Sequence, residues 1–243
     1  MNCPVCGSSN TTFAFNVPFL NTKNWHRDYA PDDEYVYRRC DNCGAHYSRT
    51  QLEWVAHDFA TKCYNDGYKD FDGDITNPIG NRPTAHIKLL NTMFRHFSAR
   101  AILDYGCGRG FAIDAMRQQG WMRVTGCDPY FPNRYNNPRA YDKFELITAL
   151  EVLEHTYTII ELFKQFNNWM DVGGIVYATT DLTDNMPDIR TNYYTCPRVG
   201  HIVLHSSKSL NYVARQTGFY VLHLPKDDKS GMCGHLFIKE HTL

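Results

Sequence analysis

The spacing of apolar residues changes along the chain and divides it into regions. Apolar and polar side chains alternate at residues 12–17 and 34–39, which predicts two short strands. Residues 51–64 and 84–97 carry apolar side chains three or four positions apart, which predicts two helices. Between these helices, residues 64–83 combine glycine, proline and polar residues with aromatic side chains. This length and composition are typical of a functional lid, although an ordinary surface loop explains them equally well.

From residue 101 onward, apolar runs alternate with amphipathic segments. Runs at residues 101–105 and 122–127 predict strands on either side of a helix that ends near Gln119. The same patterns predict further strands at residues 144–149, 175–179, 220–224 and 236–239, and helices at residues 159–170 and 207–217. This alternation predicts an α/β fold with a doubly wound, mostly parallel sheet, whose last strand we expect to run antiparallel.

The composition is that of a globular protein. In 243 residues, 43% hydrophobic and 14% aromatic content suffice for one sizeable core and a small additional module. No apolar run approaches the length of a membrane span, and the first residues lack signal-peptide features, so we expect a cytoplasmic protein without a membrane partner. A formal charge of −1 gives no overall attraction to a nucleic-acid backbone, which disfavours a nucleic-acid partner without excluding a local basic patch.

Four of the nine cysteines lie in two C-x-x-C-G knuckles, each of which offers two thiolates on a tight turn. These four are Cys3, Cys6, Cys40 and Cys43. We expect them to bind one structural zinc ion in a closed, four-ligand site; the alternative is unmetallated or redox-active cysteines. The 33 residues between the knuckles exceed the usual ribbon spacing and require an extra loop. The other cysteines, predicted to be small buried apolar residues, are Cys63, Cys107, Cys127, Cys196 and Cys233.

A carboxylate and three alternating glycines follow the first strand of the α/β region. They are Asp104, Gly106, Gly108 and Gly110, and glycines at such a turn let a ligand approach the backbone closely. The spacing differs from the dinucleotide fingerprint, and the Lys-Ser/Thr of a phosphate loop is missing. Asp128 ends the next strand, where a carboxylate can accept both ribose hydroxyls. By themselves these features leave a nicotinamide-type cofactor open.

The glycine motif, Asp128 and the string Ala-Leu-Glu-Val-Leu-Glu-His at residues 149–155 together resemble the class I S-adenosylmethionine (SAM) dependent methyltransferases. The resemblance covers about residues 84–243 and implies SAM as the cofactor and a seven-stranded, Rossmann-like sheet. The cofactor-binding residues that it implies are Asp104, Tyr105, Gly106, Gly108, Gly110, Asp128, Ala149 and Leu150. The knuckles also look like the zinc motif fused to some sugar methyltransferases and other small-molecule methyltransferases.

Acidic and histidine residues follow the predicted fourth strand. Glu151, Glu154 and His155 would share one face of a helix if a helix began there. The string is similar to that of ubiquinone-biosynthesis O-methyltransferases and small-RNA 2′-O-methyltransferases, and His201 resembles a further histidine ligand of the RNA enzymes. This resemblance implies a Mg²⁺ or Mn²⁺ site that holds the acceptor oxygen. Two alternatives stay open: a general base at His155 or His201, and a structural role for the glutamates with His155 packed beneath the loop.

The segment after the predicted fifth strand builds the acceptor pocket in this family. Here it contains Tyr193, Tyr194 and Arg198, which could contact a substrate, although the tyrosines could equally cover the edge of the sheet.

We therefore predict a zinc ribbon at residues 1–50, a helical arm with a lid loop at 51–83 and a methyltransferase domain at 84–243. The predicted acceptor is a hydroxyl, or less readily a carbon, of a small metabolite or nucleotide-linked sugar. RNA or DNA methylation and a non-catalytic SAM-binding or scaffolding module are the alternatives. The sequence predicts no oligomeric state.

Overall fold

The computed structural model describes residues 2–18, 34–65, 81–94, 100–130, 135–138, 141, 143–225 and 233–240. The strands in chain order are β1 (Thr11–Pro18), β2 (Glu34–Cys40), β3 (His46–Ser48), β4 (Ile102–Tyr105), β5 (Val124–Cys127), β6 (Phe144–Leu150), β7 (Met170–Thr179), β8 (Val203–Leu204), β9 (Phe219–His223) and β10 (Gly234–Lys239). The α-helices are α1 (Ala56–Asp58), α2 (Asn81–Met93), α3 (Phe111–Gln118), α4 (Ile159–Trp169) and α5 (Ser207–Gln216).

The chain forms two compact units. The first, here called the ribbon unit, consists of Met1–Gly73, Leu153–Ile159 and Asp181–Val213; the second, the sheet unit, consists of Asp74–Val152, Ile160–Thr180 and Ala214–Leu243. The predicted division of the chain at residues 50 and 83 stays a prediction. Residues 66–80, most of the predicted lid loop, lie outside the described part of the chain.

The sheet unit contains a six-stranded sheet in the order β5-β4-β6-β7-β10-β9. The pairs β4–β5, β4–β6 and β6–β7 are parallel, whereas β10 runs antiparallel to both β7 and β9. The predicted α/β class and antiparallel last strand are therefore confirmed. Helices α2 and α3 contribute Ile87, Leu90, Ile113 and Met116 to a core that also contains Ile102, Val124 and Leu146 from the sheet. The strand order changes direction at β4, because β5 pairs with it on one side and β6 on the other. Ligands of open α/β folds bind at the carboxyl ends of the strands at such a point.

The prediction of seven strands is not met, since the described residues supply six strands to this sheet. Among the described residues, the position beside β5 holds an isolated parallel bridge between Gly126 and Asn136. Asn136 is followed by Asn137 and Pro138, which favour turns, and proline cannot donate a ladder hydrogen bond. Within residues 135–138, the seventh strand is represented by this one bridge.

The ribbon unit contains a four-stranded antiparallel sheet in the order β1-β2-β3-β8. The two strands predicted near the start of the chain correspond to β1 and β2. Strand β8 comes from more than 150 positions further along the chain, and its Val203 and Leu204 pair with Tyr47 and His46. Two residues are too few to show alternation, so the sequence pattern did not predict this strand.

Two predicted helices differ from the structure. Residues 51–64 form a 3-10 turn at Gln51–Glu53, the short α1 and a π-helix at Phe59–Cys63 instead of one α-helix. A single 3-10 turn, Leu153–His155, replaces a helix through Glu151, because the backbone of Glu151 has a φ of 56°. In the described part of the chain, no helix combines the length and apolar character needed to span a bilayer.

Candidate functional site

The three motif glycines have positive φ angles of 71° at Gly106, 47° at Gly108 and 84° at Gly110. A Cβ at Gly106 would lie 2.5 Å from Val152, and one at Gly110 would lie 2.3 Å from the ring of Tyr135. Both glycines are therefore required by the packing of the unit itself. A Cβ at Gly108 would meet no described atom within 4 Å. Of the three glycines, Gly108 is thus the one that faces open space within the described part of the chain.

The side chain of Asp128 lies directly beside this turn. The backbone N–H of Gly108 donates to Asp128 Oδ2 at 2.8 Å, and that of Tyr130 donates to Oδ1 at 2.9 Å. Asn136 Oδ1 accepts from the Asp128 N–H at 2.8 Å. The structure therefore brings together the two predicted cofactor elements, the glycine turn and the ribose carboxylate. Asn136 was not predicted, since it reaches this place through the shortened seventh strand.

Asp104 is 3% exposed, and the hydroxyl of Thr148 on β6 donates to its Oδ1 at 2.6 Å. Burial raises the pKa of Asp104 to about 7, and the hydrogen bond from Thr148 opposes this rise. A buried carboxylate of this kind favours a nearby cation. The sequence did not indicate a role for Thr148, because most of the surrounding residues of β6 are apolar.

At the end of β6, Ala149 is buried and Leu150 is half-buried. Glu151 follows, and its N–H donates to Thr179 Oγ1 at 3.0 Å while Oε1 accepts from the same hydroxyl at 2.9 Å. These bonds tie Glu151 to the carboxyl end of β7 within the sheet unit. Its predicted grouping with Glu154 and His155 on one helical face does not form, because the helix is absent.

The four knuckle cysteines converge in the ribbon unit, with their sulfurs all within 4.8 Å of one another. Cys3 Sγ lies 3.6 Å from Cys43 Sγ, and Cys6 Sγ lies 3.5 Å from Cys40 Sγ. Tetrahedral zinc with bonds of about 2.3 Å separates its sulfurs by about 3.8 Å. The contact between Cys3 and Cys43 lowers the pKa of Cys3 to about 5 and raises the pKa of Cys43, because the thiol of one stabilises the thiolate of the other. The residues present therefore fit a structural zinc ion.

A second cluster in the ribbon unit contains Glu154, His155 and His201, whose possible ligand atoms also lie within 4.8 Å of one another. Glu154 is fully buried, and its Oε1 accepts from the Tyr194 hydroxyl at 3.0 Å and lies 3.9 Å from His201 Nε2. Glu154 Oε2 has no hydrogen-bond partner among the residues that the structure describes. A buried carboxylate oxygen in this state is costly unless a cation or proton reaches it.

Each histidine of this cluster has its Nδ1 against a backbone carbonyl. His155 Nδ1 lies 3.0 Å from the Gly200 oxygen, and His201 Nδ1 lies 2.9 Å from the Tyr194 oxygen. Because a carbonyl only accepts, each Nδ1 carries a hydrogen, and in the neutral imidazole each Nε2 carries the lone pair. The two rings contact each other edge to face, with centroids 4.8 Å apart. The arrangement can bind a cation or accept protons at two Nε2 atoms.

The other predicted acceptor residues have different environments. Tyr193 is 42% exposed and lies edge-on to His201, whereas Tyr194 is buried and its hydroxyl donates to Glu154. Arg198 is 2% exposed and donates to the Cys63 carbonyl and to Asn65 Oδ1. The sequence indicated Tyr64 only as an aromatic residue of the predicted lid loop, without a role at the histidines. Its hydroxyl lies 3.0 Å from His155 Nδ1.

A family model described as a methyltransferase domain matches residues 80–224. No curated protein matches the chain. Among solved structures, the chain is similar to a putative O-methyltransferase from Nostoc punctiforme, with a TM-score of 0.52 and 10% identity over 71% of this chain and 61% of that one.

Two further similar structures are matched over nearly their full length. Streptomyces venezuelae DesVI has a TM-score of 0.51 and 12% identity, over 71% of this chain and 98% of that one. SAM-bound CalS10, an amino pentose methyltransferase from Micromonospora echinaspora, has a TM-score of 0.50 and 10% identity, over 69% of this chain and 96% of that one. At these identities the likeness concerns the fold, whereas the family match covers more than half of the chain.

Proposed function

This chain belongs to the class I SAM-dependent methyltransferases, and we propose that it methylates a hydroxyl group of a small metabolite or nucleotide-linked sugar. Bound SAM supplies a methyl group on a sulfonium with a good leaving group. We assign its binding to the sheet unit, where Gly108 leaves room at the backbone and Asp128 can accept from the ribose hydroxyls. Asp104, Tyr105, Gly106, Gly110, Ala149 and Leu150 complete the proposed cofactor residues.

The observation that carries the hydroxyl assignment is the paired orientation of His155 and His201. A neutral hydroxyl is a poor nucleophile at pH 7 and must lose its proton as the new bond to carbon forms. Both histidines have Nδ1 fixed on carbonyl oxygens, which leaves Nε2 as the atom that accepts this proton. The carboxylate of Glu154 would then stabilise the imidazolium of His201.

A divalent cation in the same cluster is the second candidate, because Glu154 Oε2 is buried without a described partner. The 3.9 Å gap between Glu154 Oε1 and the lone-pair nitrogen of His201 is too long for a hydrogen bond. Two imidazoles and one carboxylate suit Mn²⁺ better than Mg²⁺, which prefers oxygen ligands. Such an ion would bind the acceptor oxygen and lower the pKa of its hydroxyl.

The test is methyl transfer from tritium-labelled SAM to separate panels of nucleotide sugars, phenols, other alcohols and RNA oligonucleotides, each with EDTA, Mn²⁺ or Mg²⁺. We expect transfer to a hydroxyl in a small-molecule panel. Recovery of activity by Mn²⁺ after EDTA would identify the cation, and indifference to EDTA would identify histidine as the base. Methylation of RNA alone, or of nitrogen alone, would contradict the proposal.

The matched variants are Glu154→Gln, which keeps the side-chain volume, and Glu161→Gln, which changes an exposed residue of α4. Glu154→Gln should reduce turnover by about 10²-fold or more, while the Kd for SAM stays within about twofold. Glu161→Gln should change neither quantity. Full turnover in Glu154→Gln would remove this carboxylate from the mechanism.

A further inference from the structure

An unusual turn places Tyr64 at the histidine cluster of the ribbon unit. The preceding residues, Phe59–Cys63, form a π-helix, and the Tyr64 N–H donates to the Phe59 carbonyl at 2.8 Å, five positions back. This i→i+5 geometry is rare, and single π-turns occur frequently at functional sites. The wide turn ends at Tyr64, so it determines the direction in which this side chain leaves the backbone.

One buried arginine contacts both residues that flank Tyr64. Arg198 is 2% exposed, and its guanidinium donates to the carbonyl of Cys63 and, at 2.7 Å, to Oδ1 of Asn65. Charge-assisted hydrogen bonds from a planar guanidinium fix direction as well as distance. The position of the Tyr64 backbone is therefore fixed by its neighbours, although the residue itself is 46% exposed.

The hydroxyl of Tyr64 and the carbonyl of Gly200 meet at the same nitrogen. Both oxygens lie 3.0 Å from His155 Nδ1. Since the Gly200 carbonyl can only accept, Nδ1 donates its hydrogen to both oxygens, and the Tyr64 oxygen is an acceptor in this bond. Gly200 has a φ of 82°, and a Cβ there would lie 2.7 Å from the Tyr64 hydroxyl. Only glycine lets both oxygens reach the ring.

From these contacts we infer that Tyr64 is a positioning residue for His155: its hydroxyl, together with the Gly200 carbonyl, orients the ring and reserves Nε2 for the acceptor hydroxyl or a cation. The inference rests on the proposed function for the role of Nε2. The orientation itself rests only on the contacts of Tyr64, His155 and Gly200. A hydrogen bond of a half-exposed tyrosine contributes little to folding, so its loss should appear at His155 and not in the stability of the unit.

The test compares Tyr64→Phe with Tyr157→Phe, a change of similar exposure (49%) two positions after His155. In protein labelled with ¹⁵N-histidine, the Nδ1–H signal of His155 is assigned by its absence in His155→Asn. We expect its exchange with water to be about tenfold faster in Tyr64→Phe, and kcat to fall about 3- to 10-fold with KM for SAM unchanged. Tyr157→Phe should match the wild type in all three quantities.

Unchanged Nδ1–H exchange in Tyr64→Phe would overturn the inference, whether or not turnover falls. Faster exchange without loss of turnover on an identified acceptor would also overturn it, because the ring orientation would then not matter for transfer. If no hydroxyl acceptor is found, the proposed function fails, while the exchange measurement still decides whether Tyr64 orients His155. The thermal midpoint of both variants, expected to equal that of the wild type, separates these outcomes from misfolding.

Discussion

The sheet unit and the ribbon unit build their candidate sites in opposite ways. In the sheet unit, Asp104, Gly108 and Asp128 follow from two neighbouring parallel strands and the turn between them. In the ribbon unit, Tyr64, Glu154 and His201 come from three distant parts of the chain. Their hydrogen bonds join Tyr64 to the His155 ring, Glu154 to the Tyr194 hydroxyl and His201 to the Tyr194 carbonyl. The first site can be predicted from local sequence patterns, whereas the second depends on contacts between residues that are distant in sequence.

This difference leads us to expect a division of labour. Variants of the sheet unit should change the affinity for SAM, and variants of the ribbon unit should change turnover or the ribbon's own stability. The following predictions test the division, beginning with the largest effect.

Removal of the zinc ligands should have the largest effect. We expect Cys43→Ser to lose one zinc ion per chain and to destabilise the ribbon unit by about 3 kcal/mol or more, since metal binding of this kind is coupled to folding. Native mass spectrometry measures the metal, and hydrogen exchange over β1 to β3 measures the stability. Cys127→Ser, at a half-buried lone cysteine, is the control. Equal protection in Cys43→Ser and wild type would show that the metal is dispensable.

Replacement of Asp128, the proposed ligand of the SAM ribose, should have the second-largest effect. Asp128→Ala removes a charged acceptor of the sheet unit, and we expect the Kd for SAM to rise about 10- to 100-fold by calorimetry. Asp128→Asn keeps the size and isolates the charge. Zinc content and ribbon protection should be unaffected in both variants. An unchanged Kd in Asp128→Ala would contradict the assigned ribose contact.

The last prediction concerns the dependence of stability on pH. The pKa of Asp104, about 7 in the folded protein, is above its ordinary value of about 4, so between these values the folded state binds the proton more tightly than the unfolded state. Stability should therefore decrease as pH rises through this window, by about 1 kcal/mol per pH unit, and Asp104→Asn should remove this dependence. Urea unfolding at several pH values measures it. Thr148→Val, which deletes the opposing hydrogen bond, should extend the decline to higher pH.

The sequence predicted the elements of the sheet unit well because its strands and helices carry strong periodicity. The family resemblance implied a seventh strand beside β5, where the described residues form one bridge at Asn136, next to an Asn-Pro pair that disfavours ladder pairing. The pattern did not indicate that two motif glycines also serve the packing of the unit, where Gly106 is required by Val152 and Gly110 by Tyr135. Such requirements come from residues distant in sequence, and no local pattern contains them.

The knuckle cysteines were predictable for the same local reason, whereas Tyr64 and Gly200 were not. A π-turn has no simple spacing signature in the sequence. The need for glycine at Gly200 is apparent only from the position of the Tyr64 hydroxyl. His201 was named through resemblance, but its carbonyl partner at Tyr194 became visible only in three dimensions.

The two-residue strand β8 has a consequence for anyone who shortens this protein. Val203 and Leu204 complete the antiparallel sheet through β3, which is itself paired with β2 beside the knuckles. A gene fragment that starts after the knuckles would expose an unpaired edge just two positions from His201. The cysteine knuckles should therefore be retained in any minimal expression fragment and exchanged between homologues only together with this downstream strand.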